Sequence, residues 1–227
     1  MLVEEAIRSR ASIKVFSEKP LAPDTVERFL DAAVWAPNHH LTEPWHFAVV
    51  TGAMREALAQ VVRADMLKQA AGLDMALAEA KALKERKKLL SAPTIVAVYS
   101  DAGPDARTTL ENFAASAAAA QNVLLMAHSS GISGIWRTGV IYDLPGVRAA
   151  LHVHEGAVFV GALFLGYSLQ RAVKRRRTPA RDKTYWLSLD DLEPKQLGIP
   201  ATSADSRDPA QSGGIWCSEA SAPANSN

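Results

Sequence analysis

One cysteine, Cys217, stands in a chain of 227 residues. That scarcity excludes an internal disulfide framework and any metal cluster held by cysteines of one chain. A membrane-length apolar run is missing too. Phe113 to Ala127 (FAASAAAAQNVLLMA) is the longest apolar stretch, but it is short, rich in alanine and interrupted by Gln121 and Asn122, so no membrane partner is expected. The opening MLVEEAIRSR is charged and amphipathic, which does not suit a secretory signal and makes the cytoplasm the expected location. Charge of one sign is also lacking. Lys and Arg number 25 against 24 Asp and Glu, and a net charge of +1 argues against a protein built for nucleic acid. Phosphate-binding glycine motifs are absent: there is no G-x-G-x-x-G behind a strand and no G-x-x-x-x-G-K-[ST], so neither a Rossmann site nor a P-loop is expected. G-x-S-x-G is missing as well, GISG at 131–134 being one residue out of register for a serine hydrolase.

What remains is ordinary globular material, 48% apolar and 22% charged, enough for one good core or two small ones. Val26, Phe29, Leu30, Ala33 and Val34 recur at helical spacing, Pro23 suits a first helical position, and Asp24 places negative charge where the helix dipole favours it. A helix over Pro23 to Trp35 follows, with a shorter one over Val3 to Arg8. HFAVV reads as a strand ended by Gly52, and residues from Ala53 to about Leu90 read as helical with a solvated charge cluster at 81–88. TIVAVY (94–99) and GAVFVGALFLGY (156–167) read as interior strands, the glycines of the second marking bulges or a near backbone neighbour. Thr108 to Ser130 is a long helix of small side chains stopped by Gly131, suited to a buried position or a dimer interface. Asp143 is placed to start a helix that ends near Leu151. Residues 1–200 are expected to form one domain, and 201–227, poor in anything to bury, a disordered tail.

The stretch APNHHLTEPWHF (36–47) gathers His39, His40, Glu43 and His46, all good metal ligands. Pro37 and Pro44 bracket it and keep it from being a regular helix, so the ligand spacing of a helical zinc motif is unavailable. The stretch is a loop between helix and strand, suited to lining a ligand site. No metal is expected, and Trp45 and His46 read as residues of the strand itself.

Cations and hydroxyls collect in three places. In RSRASIKVF, Arg10, Ser12 and Lys14 alternate, so an extended backbone points them one way. In GISGIWRTG, Trp136, Arg137 and Thr138 lie between glycines. RAVKRRRTPARDK holds seven basic residues and one acid, among them Arg175, Arg176 and Arg177. Arginine forks match phosphate oxygens, so these segments together suggest a phosphorylated ligand with a flat apolar body.

RSRASIKVFSEKPLAPDTVERFLDAAVWAPNHHLTEPWHFAVVTG resembles the opening of the nitroreductase family, in its basic and serine spacing, its proline-bracketed loop and its PW-x-F strand entry. GIWRTG and the small-residue helix before it extend the resemblance over most of 1–185. It implies an α+β fold, a mostly antiparallel central sheet wrapped by helices, and a homodimer with FMN at the interface and the long helix in the dimer core. By matching positions the cofactor would meet Arg10, Ala11, Ser12, Lys14, Trp35, His39, Trp136, Arg137 and Thr138, with Arg176 or a neighbour as a second phosphate contact. Arg10 and Ser12 would face the phosphate and ribityl end, Lys14 would face the flavin ring, and Trp136 to Thr138 would come from either subunit. Ala11 departs from a frequent second arginine, Lys14 from a common arginine and Glu43 from a frequent glutamine. The implied activity is NADH- or NADPH-dependent reduction of nitroaromatic, quinone or similar acceptors by ping-pong hydride transfer. The alternatives are a specific biosynthetic dehydrogenation or reductive dehalogenation, and a non-catalytic flavin sensor or store.

Overall fold

A computed structural model describes residues 1–71, 74–173, 176–188 and 191. The expected tail at 201–227 lies outside them, as does Arg175. The chain divides into two units, Met1–Arg176 and Arg177–Asn227. In the second, the described part is a short 3-10 turn at Ala180–Lys183 followed by exposed Tyr185, Trp186 and Leu187.

The first unit is built on a four-stranded antiparallel sheet in the order β1-β2-β4-β3, with β1 at Trp45–Thr51, β2 at Thr94–Ser100, β3 at Ser133–Arg137 and β4 at Val158–Gly166. β2 is buried at every position, which its run of β-branched side chains permits only because both sheet faces are covered. Its side chains alternate between two cores. Ile95, Ala97 and Tyr99 face one, with Leu58 and Val62 of α3 (Met54–Gln69) and Val147 of α6 (Pro145–Ala150). Val96 and Val98 face the other, with Phe29 of α2 (Pro23–Ala33) and Ala119, Ala120 and Val123 of α5 (Ala106–Ser129). Helices therefore wrap both faces, in an α+β arrangement.

Most elements lie where the sequence pattern puts them. α1 (Val3–Ser9) and α2 match within a turn, and β1, β2 and β4 within a few residues. The helical stretch of 53–90 is two helices, α3 and α4 (Met75–Leu89), the second started by Asp74 accepting from the Leu77 amide at 2.9 Å. α5 ends in a Schellman motif: Gly131 at φ +76 donates to the His128 carbonyl, and the Ile132 amide reaches the Ala127 carbonyl at 2.8 Å. One element is added and one reading corrected. GISGIWRTG, read only as a cluster between glycines, holds an edge strand at its centre, because Ser133–Arg137 finds ladder partners on β4. Asp143 ends a 3-10 turn, and α6 is capped by Leu144 with Pro145 as its first residue, so no carboxylate is used there. Among the described residues no helix is long and apolar enough to cross a membrane.

The β2–β4 ladder carries a bulge, Val98 pairing with Gly161 but Tyr99 with Phe159. A side chain on Gly161 would collide with the Trp136 indole of the neighbouring strand, which lies over the bare backbone. Gly161→Ala is expected to destabilise the fold by about 1–3 kcal/mol through overpacking. Chemical denaturation followed by tryptophan fluorescence measures it, and an unchanged midpoint would contradict the contact.

Candidate active site

The N-terminal segment is the starting point. Arg10 caps the C-terminal end of α1 with extended geometry, and the chain then runs straight. Ser12 forms a parallel bridge with Gly134, and the Ile13 amide donates to the Gly134 carbonyl at 3.2 Å. A side chain on Gly134 would meet Leu124 and Leu165, so its small size lets β3 sit close to the core beneath this pairing. Further along, Phe16 bridges Ser168, and the Ser17 amide reaches the Tyr167 carbonyl at 2.9 Å. One segment, through two isolated bridges, thus touches the start of β3 and the stretch just after β4. Ile13 is buried while Ser12 and Lys14 are exposed, the alternation expected of an extended chain over a core.

Two of the three cationic segments are therefore neighbours: the stretch of Arg10, Ala11, Ser12 and Lys14 bridges to β3, which carries Trp136 and Arg137 and is followed by Thr138. Both belong to the same chain. The third segment leaves from the end of β4, through Ser168 to Gln170, and Arg176 within it is exposed.

Arg137 is half-buried. Its guanidinium lies 4.6 Å over the Phe164 ring and donates to Ser91 Oγ at 3.4 Å, while its Nε is buried without a hydrogen-bond partner. Burial lowers its pKa, and the phenol of Tyr142 and carboxylate of Glu85 pull the other way. The named set holds cations, hydroxyls and an indole but no carboxylate, and one buried guanidinium donor is unsatisfied. That donor chemistry fits an anionic group.

Trp35 is 86% exposed just beyond α2, whose Ala32 carbonyl accepts from Asn122 Nδ2 of α5 at 3.1 Å, and His39 lies elsewhere. His39 opens a loop that touches α5 near its beginning, where Thr42 donates to Asn112 Oδ1 at 3.1 Å. Arg10 lies by the other end, since adjacent Ser9 is hydrogen-bonded to His128 Nε2 at 2.7 Å. Asn112 and His128 are sixteen positions apart, roughly 24 Å along the helix. A single chain does not bring His39 to the Arg10 edge.

The His39 loop is itself unusual. His40, Leu41 and Glu43 have φ of 54°, 53° and 45°, a left-handed backbone that costs a non-glycine residue about 1–2 kcal/mol each. Asn38 Oδ1, accepting from the Glu43 amide at 2.9 Å, and the Thr42–Asn112 bond hold it. Retained strain in a polar surface loop is a mark of function. His39 and His40 stack edge to face with each other, and among the described residues neither joins a three-ligand group. Trp45, the first residue of β1, is buried in the core.

With this geometry in view, comparison decides the family. A model of the nitroreductase family matches residues 7–167. The chain belongs to the nitroreductase family. It is 30% identical over 183 residues to YfhC of Bacillus subtilis, provisionally named an NAD(P)H nitroreductase, covering 80% of this chain and 92% of the relative. YdjA of Escherichia coli K12, named in the same way, is 30% identical over 163 residues, 71% of this chain and 86% of its own. A nitroreductase-like protein from Bacillus cereus superposes with a TM-score of 0.71 at 28% identity, covering 82% of this chain and 96% of its own. The FMN-dependent nitroreductase NfnB of Mycobacterium smegmatis, solved with NADPH, shares the fold at 20% identity, with a TM-score of 0.63 and coverage of 82% and 97%. As a nitroreductase-family member this chain is an oxidoreductase.

His128 reports on the Arg10 edge. Burial is the main reason its pKa is depressed, the Arg10 charge adds to it, and Glu5 opposes both. The unfolded chain therefore binds this proton more readily than the folded one, so stability is full above the ordinary value of 6.5 and declines as pH falls below it. Arg10→Ala should move the His128 midpoint upward in an NMR titration. A midpoint that stays put would place Arg10 away from this edge.

Proposed function

We propose that the protein is an FMN-dependent NAD(P)H oxidoreductase that reduces nitroaromatic, quinone or related electron-poor compounds. The observation that carries the reading is the donor edge itself. Family membership supplies the cofactor class, and the pairing of Ser12 with Gly134 sets Arg10, Ser12 and Lys14 beside Trp136, Arg137 and Thr138. When bound, FMN supplies the redox chemistry, taking hydride from NADH or NADPH and passing it, in a second half-reaction, to the acceptor.

The side chains divide the work. Arg10 and Ser12 hold the phosphate and ribityl end, with charge-assisted hydrogen bonds from the guanidinium. Lys14, an exposed ammonium at the far end of the same extended segment, faces the ring and sets a positive potential where reduction places negative charge. Ala11 contributes backbone only. Arg137 and Thr138 close the edge along β3, and Arg176 adds a second cation toward the phosphate.

His39 completes the pocket from a second copy of the chain, and Trp35 lines it from the end of α2. The place of His39 near the far end of α5 from Arg10 supports this reading, since a two-fold pairing along α5 brings opposite ends of the helix together. Leu110, 68% exposed on α5, with Ala114, Ala117, Ala118, Gln121 and Leu125 accessible, gives that pairing a small-residue face. The working location is the cytoplasm, where the nicotinamide reductant is made.

An absorption spectrum of the purified protein tests the reading. A flavin band should be present, should bleach on adding NADH or NADPH and should return with a nitroarene; a protein that stays colourless with excess FMN would overturn it. Arg10→Ala should weaken FMN binding by about 1.5–3 kcal/mol, the worth of a charged hydrogen bond. Fluorescence-quenching titration reads that loss, and unchanged affinity would remove Arg10 from the site.

A further inference from the structure

His46 is not the isolated strand residue its sequence position suggests. Its Nε2 lies 2.7 Å from Asp101 Oδ1, and Nε2 of His154 lies 2.8 Å from the same oxygen. The two imidazoles meet edge to face, with centroids 4.7 Å apart. Among the described residues this is the one group of three or more His, Cys, Asp or Glu side chains whose ligand atoms all lie within 4.8 Å of one another. It stands apart from the flavin edge, at the end of the sheet where β1 begins, β2 has just ended and the turn before β4 passes.

The backbone under each donor is fixed. His46 is in the β1–β2 ladder opposite Tyr99. The Asp101 amide donates to the Pro44 carbonyl at 2.8 Å, and its carbonyl accepts from Asn112 Nδ2 at 3.3 Å. The His154 carbonyl accepts from Arg148 Nη2 at 2.9 Å, in a tight turn closed by Gly156 at φ +81. Three elements thus deliver three ligand atoms to one point without needing a loop to fold over them.

The geometry points to a divalent transition-metal site, with zinc the fitting ion, held by His46 Nε2, His154 Nε2 and the Asp101 carboxylate. Two imidazoles and one carboxylate select a borderline ion over magnesium or calcium, which prefer oxygen alone. Three protein ligands with an open fourth position is the pattern of an accessible zinc site rather than a closed structural one. Donors around a tetrahedral zinc at about 2.0–2.1 Å sit roughly 3.3 Å apart, so the carboxylate must retreat by about half an ångström as an ion enters. Asp101, with 39% of its side chain exposed, has room to do so. His46 and His154 line one end of a cleft of ≈ 490 Å³, which leaves the remaining coordination position to water. Each imidazole presents its Nε2 to the site, so metal binding displaces a proton or a hydrogen bond there.

The test uses the full chain without an affinity tag, stripped of metal with a chelator and titrated with Zn²⁺ against a chromophoric competitor. One equivalent per chain should bind. His46→Ala and His154→Ala should each weaken that binding by at least about tenfold, a direct ligand counting for no less than the outer-shell partners that typically cost ten- to a hundredfold. His40→Ala, which removes an exposed histidine outside the cluster, should leave it unchanged. The flavin band and unfolding midpoint of each variant verify that it is folded, and the metal result is read from variants that pass. Absence of stoichiometric binding, or binding that both cluster variants retain in full, would overturn the proposal and leave a hydrogen-bonded His–Asp–His group.

Discussion

The bond from the Ile13 amide to the Gly134 carbonyl, 3.2 Å long, fixes the register on which the proposed flavin edge depends. Side chains alternate along an extended chain, so a slip of one residue would turn Ile13 outward and carry Ser12 and Lys14 into the core. Burying an ammonium there is prohibitive, and exposing Ile13, now 3% accessible, forfeits its burial. The register is therefore enforced from both sides: apolar Ile13 must go in, and Lys14 must stay out. Gly134 makes the approach possible, since Leu124 and Leu165 occupy the space a side chain would need.

That edge is carried by a sheet whose central strands leave it little freedom. β2 and β4 are covered on both faces, and each core uses alternate residues of the same strands. Trp136, whose indole lies over the bare backbone of Gly161, links β3 to the bulge of β4, so the strand bearing Arg137 and Thr138 is tied to the interior at its middle. Arg137 is held over Phe164 and beside Ser91, with its Nε donor left without a hydrogen-bond partner. The residues proposed to hold the flavin thus sit at the rim of a packed sheet, where a ligand can reach them.

Periodicity made much of this legible. The α2 pattern, the stop at Gly131 and the buried run TIVAVY each follow from a local rule, and each is found where that rule puts it. Pro37 and Pro44 were sufficient to say that 36–47 is not a regular helix. They were silent on the left-handed run through His40, Leu41 and Glu43, because those residues gain nothing locally from positive φ and are held by Asn38 and Asn112. β3 was hidden because its five residues, SGIWR, offer a weak alternation between glycines, and only pairing with β4 makes them a strand. The place of His39 at one end of α5 and Arg10 at the other is likewise non-local; sequence spacing carries no sign of it. The same holds for His46, whose partner Asp101 lies 55 residues away.

Phosphate recognition is the role proposed for the Arg10 edge, and the most direct measurement of it compares FMN with riboflavin, which has the same ring and ribityl chain but no phosphate. Titrated into the flavin-free protein, FMN is predicted to bind at least about tenfold more tightly, the worth of one charge-assisted hydrogen bond. Equal affinity for the two flavins would contradict the assignment.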